Sequence, residues 1–125
     1  SENGLHTLEQ LLKDHPNITI ELSAHTDFVG NDADHEILSL KRAQSVVDYL
    51  IKHGINSDRL TPVGYGEESP VVVDETLHKQ YTFLPKDQVL NEAFIMTLSA
   101  DKQEICNSLN RRTEFRVLKT TYNLY

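Results

Sequence analysis

The sequence predicts an α+β domain, an α/β sandwich in which helices pack on one face of a small mixed β-sheet. Two observations lead to this fold class. Segments with helical spacing of apolar residues alternate with short segments of period two, in the order α-β-α-β-insert-α-β. The first period-two segment is apolar on one side only, whereas a strand covered on both faces would be continuously apolar. With 125 residues, the range 1–125 is expected to be a single domain.

The first helix and the first strand lie on either side of Pro16. Leucines recur at helical spacing before this proline, which predicts a short amphipathic helix. Residues 18–25 then alternate, so Ile20 and Leu22 should face the core while Glu21, Ser23 and His25 should lie on a polar face. The loop that follows contains Gly30, which is available for a positive φ angle.

A longer helix and a second strand come next. From about residue 35 to residue 53 the pattern is helical, and Gly54 is suited to cap the helix. The predicted apolar side of this helix carries Leu40, Ala43, Val47, Leu50 and Ile51. Residues 60–66 predict a short strand, and Pro62 favours an edge position or a late start for it because proline cannot donate to a neighbouring strand.

The segment 71–108 is read as an insert before the last strand. Residues 71–75 are extended in character, and a short helix is expected within 86–98. The insert is too apolar for a disordered loop, so it is expected to fold against the domain. Ser99 is a good N-cap for a further helix, on which Cys106 is expected to be a buried, inert thiol, and residues 114–118 alternate as a strand.

Charge and hydropathy exclude two classes of partner. The net charge of −7 argues against nucleic acid, because phosphate binding needs a basic face. No apolar run approaches 18 residues, so the domain is not expected to insert into a membrane. No catalytic arrangement and no cofactor motif can be singled out, so no enzyme activity and no cofactor are predicted.

The most informative pair of residues is Asp27, after the first strand, and Arg42, on the following helix. Arg42 is placed near the start of that helix. A carboxylate can bind an ammonium group, and a guanidinium can bind a carboxylate through two parallel hydrogen bonds. A ligand that carries both an ammonium and a carboxylate would therefore suit the pair. Asp27 could instead only cap a turn, and Arg42 could simply be solvated.

Five motifs in order resemble the OmpA-like C-terminal domain, the peptidoglycan-binding module of bacterial outer-membrane proteins, peptidoglycan-associated lipoproteins and flagellar stator proteins. They are HTD, LSLKRA, GINSDRL, GYGEESP and NRRTEF, and the resemblance covers residues 17–70 and 109–118. It implies a periplasmic module that anchors an outer-membrane protein of the Gram-negative envelope to the cell wall. The implied ligand is the diaminopimelate side chain of the stem peptide. The ligand residues implied are Asp27, Arg42, Thr26, His35, Asn110 and Arg111.

The chain departs from the family pattern in three places. His35 stands where the family usually has an asparagine, and an imidazole could replace the amide's hydrogen bond. The insert at about 71–108 resembles the variant of Bacteroidetes-type proteins. The family's first strand is missing from this sequence, so an edge of the sheet is expected to be open or paired with another chain.

Two other functions compete with wall anchoring. The insert could dock another envelope protein, which would make the domain a scaffold with weak or no wall binding. An amidase or glycosidase would act on the wall, with His25, Asp27 and His35 as zinc ligands. Nothing in the sequence supplies the groups that would orient such ligands, so no metal site is predicted.

Arg111 and Arg112 also suit the end of a helix, which is a structural alternative for both.

Overall fold

The structure, a computed structural model, describes residues 2–30 and 32–123, without the side chains of residues 2, 3, 32 and 33. The helices are α1 (Glu2–Asp14), α2 (Asp32–Lys52), α3 (Glu75–Gln80), α4 (Glu92–Ile95) and α5 (Ala100–Asn110). The strands are β1 (Thr19–His25), β2 (Leu60–Gly66) and β3 (Arg112–Lys119), and a 3-10 turn covers Ser57–Arg59. The order confirms the predicted sequence of elements.

The three strands form a mixed sheet in the order β2-β1-β3. β1 pairs in parallel with β2 and antiparallel with β3. Because β2 is an edge strand, the position predicted from Pro62 is confirmed. The outer edge of β3 has no strand partner within the described part of the chain, and Phe115 and Val117 on it are each 47% exposed.

A first core fills the space between the sheet and helices α1 and α2. Its buried residues are Leu8, Leu12, Ile18, Ile20, Leu22, Val47, Leu50, Ile55 and Leu60. The apolar stripe of α2 is narrower than predicted, since Leu40 and Ile51 are 48% and 42% exposed. Both helices pack on the face that Ile20 and Leu22 present, which confirms the α+β fold class.

The predicted exposure of the other face of β1 is wrong. Glu21, Ser23 and His25 are all buried, because β1 is the central strand and long side chains from its neighbours cover it. Glu21 accepts hydrogen bonds from the Tyr65 hydroxyl at 2.7 Å and from the Arg116 guanidinium at 2.8 Å. These two partners, Tyr65 first, lower the pKa of Glu21. A buried carboxylate with such partners remains charged.

A second core is built from the insert and α5. It contains Val73, Leu84, Leu90, Ile95 and Cys106, and Phe28 from the loop after β1 packs against it. The short helix predicted within 86–98 is α4, and residues 71–73 pair with 87–90 through backbone hydrogen bonds. The insert therefore folds against the domain as predicted. Burial raises the pKa of the Cys106 thiol, which fits the inert role expected for it.

Strand β2 approaches helix α2 at Gly64. A Cβ atom on Gly64 would lie 2.4 Å from the Leu40 backbone nitrogen and 2.7 Å from Ser39 Oγ. Ser39 Oγ also accepts a hydrogen bond from the Gly66 N–H at 2.9 Å, so helix and strand are fixed at this distance. Only glycine fits this contact without displacing helix backbone.

The variant Gly64→Ala is therefore expected to lower the free energy of unfolding by about 1–3 kcal/mol, the usual range for overpacking. Urea denaturation followed by circular dichroism measures this change. Thr61→Ala, at an exposed position of the same strand, is the matched control and should change stability by less than about 1 kcal/mol. Equal midpoints for the two variants would show that α2 can shift away from the strand.

Candidate functional site

The end of β1 places Asp27 in a constrained loop. A bulge between Ala24 and His25 shifts the register of β1 against β2, and the Thr26 N–H donates to the Gly66 carbonyl oxygen at 2.8 Å. Asp27 Oδ1 accepts from the Val29 N–H at 3.0 Å, which is the turn-capping role considered from the sequence. This bond leaves Asp27 Oδ2 available for a second partner, so Asp27 can cap the turn and form an ion pair at the same time.

His35 supports the same loop from helix α2. Its Nε2 donates to the Val29 carbonyl oxygen, and its Nδ1 lies 3.4 Å from Glu67 Oε2. Gly30 has a φ of +102°, as predicted, and a Cβ there would lie 3.1 Å from His35 Nε2. His35 is buried, so its contacts shape the loop that carries Asp27.

Arg111 joins Asp27 to helix α5. Its Nη1 donates to Asp27 Oδ2 at 2.6 Å, and its Nη2 donates to Glu104 Oε1 at 2.6 Å. The hydrogen bond to Glu104 and then that to Asp27 raise the pKa of the Arg111 guanidinium. One cation is thus shared between a largely buried carboxylate and an exposed one.

Arg42, on helix α2, lines the same surface cavity as Arg111. A surface cavity of about 350 Å³ is lined by Arg42, Arg111, Arg112 and Thr113. Arg112 is fully engaged, because it donates to Glu114 Oε1 at 2.7 Å and to the carbonyl oxygens of Ser69 and Asn110. Among the described residues, no hydrogen-bond acceptor or carboxylate pairs with Arg42. The cavity therefore offers an available guanidinium beside two engaged ones.

One part of the predicted geometry is wrong. Arg42 is not near the start of its helix, because α2 begins at Asp32, ten residues earlier. The residues DAD at 32–34 form the first turn of the helix, whereas the sequence pattern predicts a helix only from about residue 35. The positive partial charge of a helix end falls off within one turn, so it does not strengthen the site at Arg42.

The remaining predicted residues lie away from the cavity surface. Thr26 is buried, and its hydroxyl donates to the Asp27 carbonyl oxygen at 3.3 Å. Asn110 is fully buried: its Oδ1 accepts from the Val71 N–H and its Nδ2 donates to the Leu90 carbonyl oxygen. The structure thus places Arg42 and Arg111 on one cavity and joins Asp27 to it through Arg111, although Asp27 itself does not line the cavity. Thr26, His35 and Asn110 support the elements that carry these residues.

Sequence reasoning missed Glu104 and gave Arg112 only as a possible ligand neighbour or helix-end cation. Glu104 lies seven residues before Arg111, which is two helical turns, so both fall on the same side of α5 and its C-terminal end. That spacing was the available signal. Among the described residues, no group of three His, Cys, Asp or Glu side chains is arranged to hold a metal ion.

His25 lies beside the site without a hydrogen bond to either ring nitrogen. Its ring stacks on Tyr65 with centroids 5.2 Å apart, and Nε2 is 3.8 Å from Glu114 Oε2. Burial lowers the pKa of His25 and the charge of Arg112 lowers it further, while Glu114 and Glu21 oppose this. The neutral form is therefore favoured in the folded state.

Because the folded-state pKa of His25 is below the unfolded value of about 6.5, the unfolded chain takes up this proton first. The contribution of His25 to the free energy of unfolding is expected to be fully present above about pH 6.5 and to be lost as the pH falls below that value. Urea titrations at several pH values measure this slope. His25→Phe keeps a ring on Tyr65 and should flatten the slope; an unchanged slope would assign it to other groups.

A comparison with known families fits this geometry. The model of the OmpA family matches residues 1–82. The chain belongs to the OmpA family. This match contains Asp27 and Arg42, whereas Arg111 and the NRR motif lie beyond its end. The match also includes α1, which was outside the motifs used for the resemblance.

Relatives of this OmpA-family chain include outer membrane protein A of Salmonella typhi, 44% identical over 73 residues, and outer membrane porin F of Pseudomonas fluorescens, 37% identical over 76 residues. The matches cover 54% and 61% of this chain, but only 21% and 23% of those proteins. The match therefore spans less than a quarter of the length of these two relatives. None of these names denotes an enzyme.

Solved structures show the same fold. The peptidoglycan-associated lipoprotein from Burkholderia pseudomallei matches with a TM-score of 0.61 and 24% identity, covering 91% of this chain and 74% of that one. The cell wall anchor of the T6SS from Pseudomonas aeruginosa matches with a TM-score of 0.60 and 20% identity, covering 94% and 66%. In the described part of this OmpA-family chain, no helix is long and apolar enough to cross a membrane. The outer-membrane names of the two curated relatives fit the predicted periplasmic location.

Proposed function

We propose that this OmpA-family domain binds peptidoglycan by recognising the diaminopimelate side chain of the stem peptide. The free end of that side chain carries an ammonium and a carboxylate on one carbon atom. In the proposed complex, the carboxylate binds Arg42 and the ammonium approaches Asp27. The observation that carries the proposal is the guanidinium of Arg42, which has no partner among the described residues and shares a cavity with the Arg111 that holds Asp27.

The charge distribution supports this assignment. The chain as a whole carries a net charge of −7, yet three arginines line one cavity of about 350 Å³. Two of the three are engaged by Asp27, Glu104 and Glu114, so the local excess of positive charge is at Arg42. A ligand carboxylate would complete this set, because a guanidinium and a carboxylate form two parallel charge-assisted hydrogen bonds.

The supports of the loop favour a preorganised site. Thr26 is held by β2, His35 holds Val29, and Phe28 packs in the second core. The carboxylate of Asp27 therefore has a fixed position before any ligand arrives. Fixing a binding group in advance lowers the conformational cost of binding.

Sacculus binding tests the proposal. The domain should sediment with purified sacculi that contain diaminopimelate, and free meso-diaminopimelate should release it. Peptidoglycan with lysine at the same position is the matched control, because lysine has the ammonium but lacks the second carboxylate. Binding should also weaken as salt is raised, since part of the contact is exposed. Equal retention on both kinds of peptidoglycan would contradict diaminopimelate recognition.

The wider role proposed for the domain is non-catalytic anchoring of an outer-membrane protein to the cell wall from the periplasm. The residues lining the cavity supply three cations and one hydroxyl, a set suited to holding an anion. We further propose that 1–125 is one domain and that 71–108 is an insert of the Bacteroidetes-type variant. Absence of binding to every sacculus would favour the scaffold hypothesis, in which the insert docks another envelope protein.

A further inference from the structure

In this structure Arg111 occupies the position on Asp27 that a ligand ammonium would take. Asp27 Oδ1 is used by the Val29 N–H and Oδ2 by Arg111 Nη1. The Asp27 side chain is only 11% exposed. An incoming ammonium therefore meets a guanidinium bound to its target, and it must displace or crowd that guanidinium to reach the carboxylate.

Arg111 has a second partner that allows it to move without losing all its contacts. Nη2 donates to Glu104 on α5, and the Glu104 side chain is 65% exposed. Arg111 also lines the cavity that Arg42 faces. Once it leaves Asp27, it can stay on Glu104 and turn toward an anion in that cavity.

The energetic consequence depends on which charges the ligand carries. A ligand with only an ammonium replaces one cation by another on Asp27 and leaves Arg111 short of a partner. A ligand with only a carboxylate binds beside Arg42 while the pair between Asp27 and Arg111 stays intact. A ligand with both groups permits an exchange, in which Asp27 takes the ammonium and the carboxylate binds Arg42 and the released Arg111, so Arg111 again has two anionic partners.

We propose that Arg111 is a specificity-determining residue that makes the site reject simple amines and accept ligands carrying an adjacent ammonium and carboxylate. This inference rests on the proposed function and concerns the same site. The site discriminates against simple amines because they cost Arg111 its ion pair with Asp27, and not because the preferred ligand gains an extra contact.

The test uses three ligands with related carbon chains. They are meso-diaminopimelate, 1,5-diaminopentane without the carboxylates, and pimelate without the amines. Binding to the wild-type domain, Arg111→Gln and Arg111→Lys is measured by nuclear magnetic resonance titration at low salt, after circular dichroism has shown that each variant is folded. The double variant Asp27→Asn/Arg111→Gln is the control, because it leaves no released carboxylate.

Arg111→Gln should bind 1,5-diaminopentane at least about tenfold more tightly than the wild type, with shifts centred on residues 26–29. The double variant should lose this gain. Arg111→Lys keeps the charge but not the contact through two nitrogen atoms, so its affinity for 1,5-diaminopentane should increase less. If Arg111→Gln is unfolded, Arg111→Lys is the variant that tests the inference. Diamine binding no tighter than wild type in the folded variants would overturn the inference.

The two proposals fail in different ways. If the wild type does not bind meso-diaminopimelate, the proposed function fails, whatever the variants do with the diamine. If the wild type binds meso-diaminopimelate but the Arg111 variants gain no amine affinity, the ligand assignment stands and Arg111 is not its specificity determinant.

Discussion

Replacing Arg42 by alanine should reduce retention on diaminopimelate-containing sacculi at least about tenfold, because this guanidinium is the available cation of the cavity. The side chain is exposed, so its removal should leave the melting temperature unchanged. Lys41→Ala removes an exposed positive charge from the neighbouring position and is the matched control. Arg42→Lys keeps the charge but loses the two parallel hydrogen bonds, so it should fall between wild type and Arg42→Ala.

Asp27→Asn should give a loss of similar size, since the amide keeps the shape and the bond from Val29 but cannot hold an ammonium as a carboxylate does. Its fold should be kept, because the loop has further supports in Thr26 and His35. Sedimentation with sacculi measures both variants. Wild-type retention by both folded variants would show that wall binding, if present, uses another surface.

The largest effect on stability is expected at Arg59, which is buried between α1, β1 and the 3-10 turn. Its Nη2 donates to the carbonyl oxygens of Leu12 and His15 at 2.9 and 2.7 Å, and its Nε donates to that of Ile18 at 3.0 Å. These acceptors belong to the end of α1 and the approach to β1, where carbonyl groups lack helical partners. Burial lowers the pKa of Arg59, yet an arginine remains charged at neutral pH.

Arg59→Met keeps most of the length but removes a donor from three carbonyl oxygens, of which, among the described residues, only that of His15 keeps a backbone donor, the Ile18 N–H at 3.3 Å. We expect the free energy of unfolding to fall by about 2–5 kcal/mol, because each buried acceptor left without its donor costs about 1–3 kcal/mol. Urea denaturation provides the value. Lys52→Met, at an exposed position, should change it by no more than about 0.5 kcal/mol. A midpoint for Arg59→Met equal to that control would mean that water replaces the guanidinium without cost.

Much of the fold could be predicted because its signals are local. The alternation around Ile20 and Leu22, the left-handed glycines Gly30 and Gly54, and the proline of the edge strand each constrain their own neighbourhood. The helix α3 also had a local signal that was overlooked, since Asp74 caps it by accepting from the Leu77 N–H at 2.7 Å.

Other errors and omissions concern features that only the assembled molecule determines. Glu21 and Arg59 are charged residue types, and their burial follows from partners 44 and 41 residues away in the chain. Arg111 and Asp27 are 84 residues apart in the sequence, so no local pattern predicts their contact. The motifs could place both residues near one pocket, but not the ion pair that joins them.

The central position of β1 has a mechanical consequence. Asp27 lies two residues beyond the end of β1, which is bonded to β2 on one side and to β3 on the other. A tensile force applied at Asp27 along the axis of β1 would pull that strand from its end. Both rows of hydrogen bonds then resist in shear and carry the force together, instead of opening one after another as in unzipping. Under such a force, a contact made at Asp27 is expected to last longer than one made at the outer edge of β3.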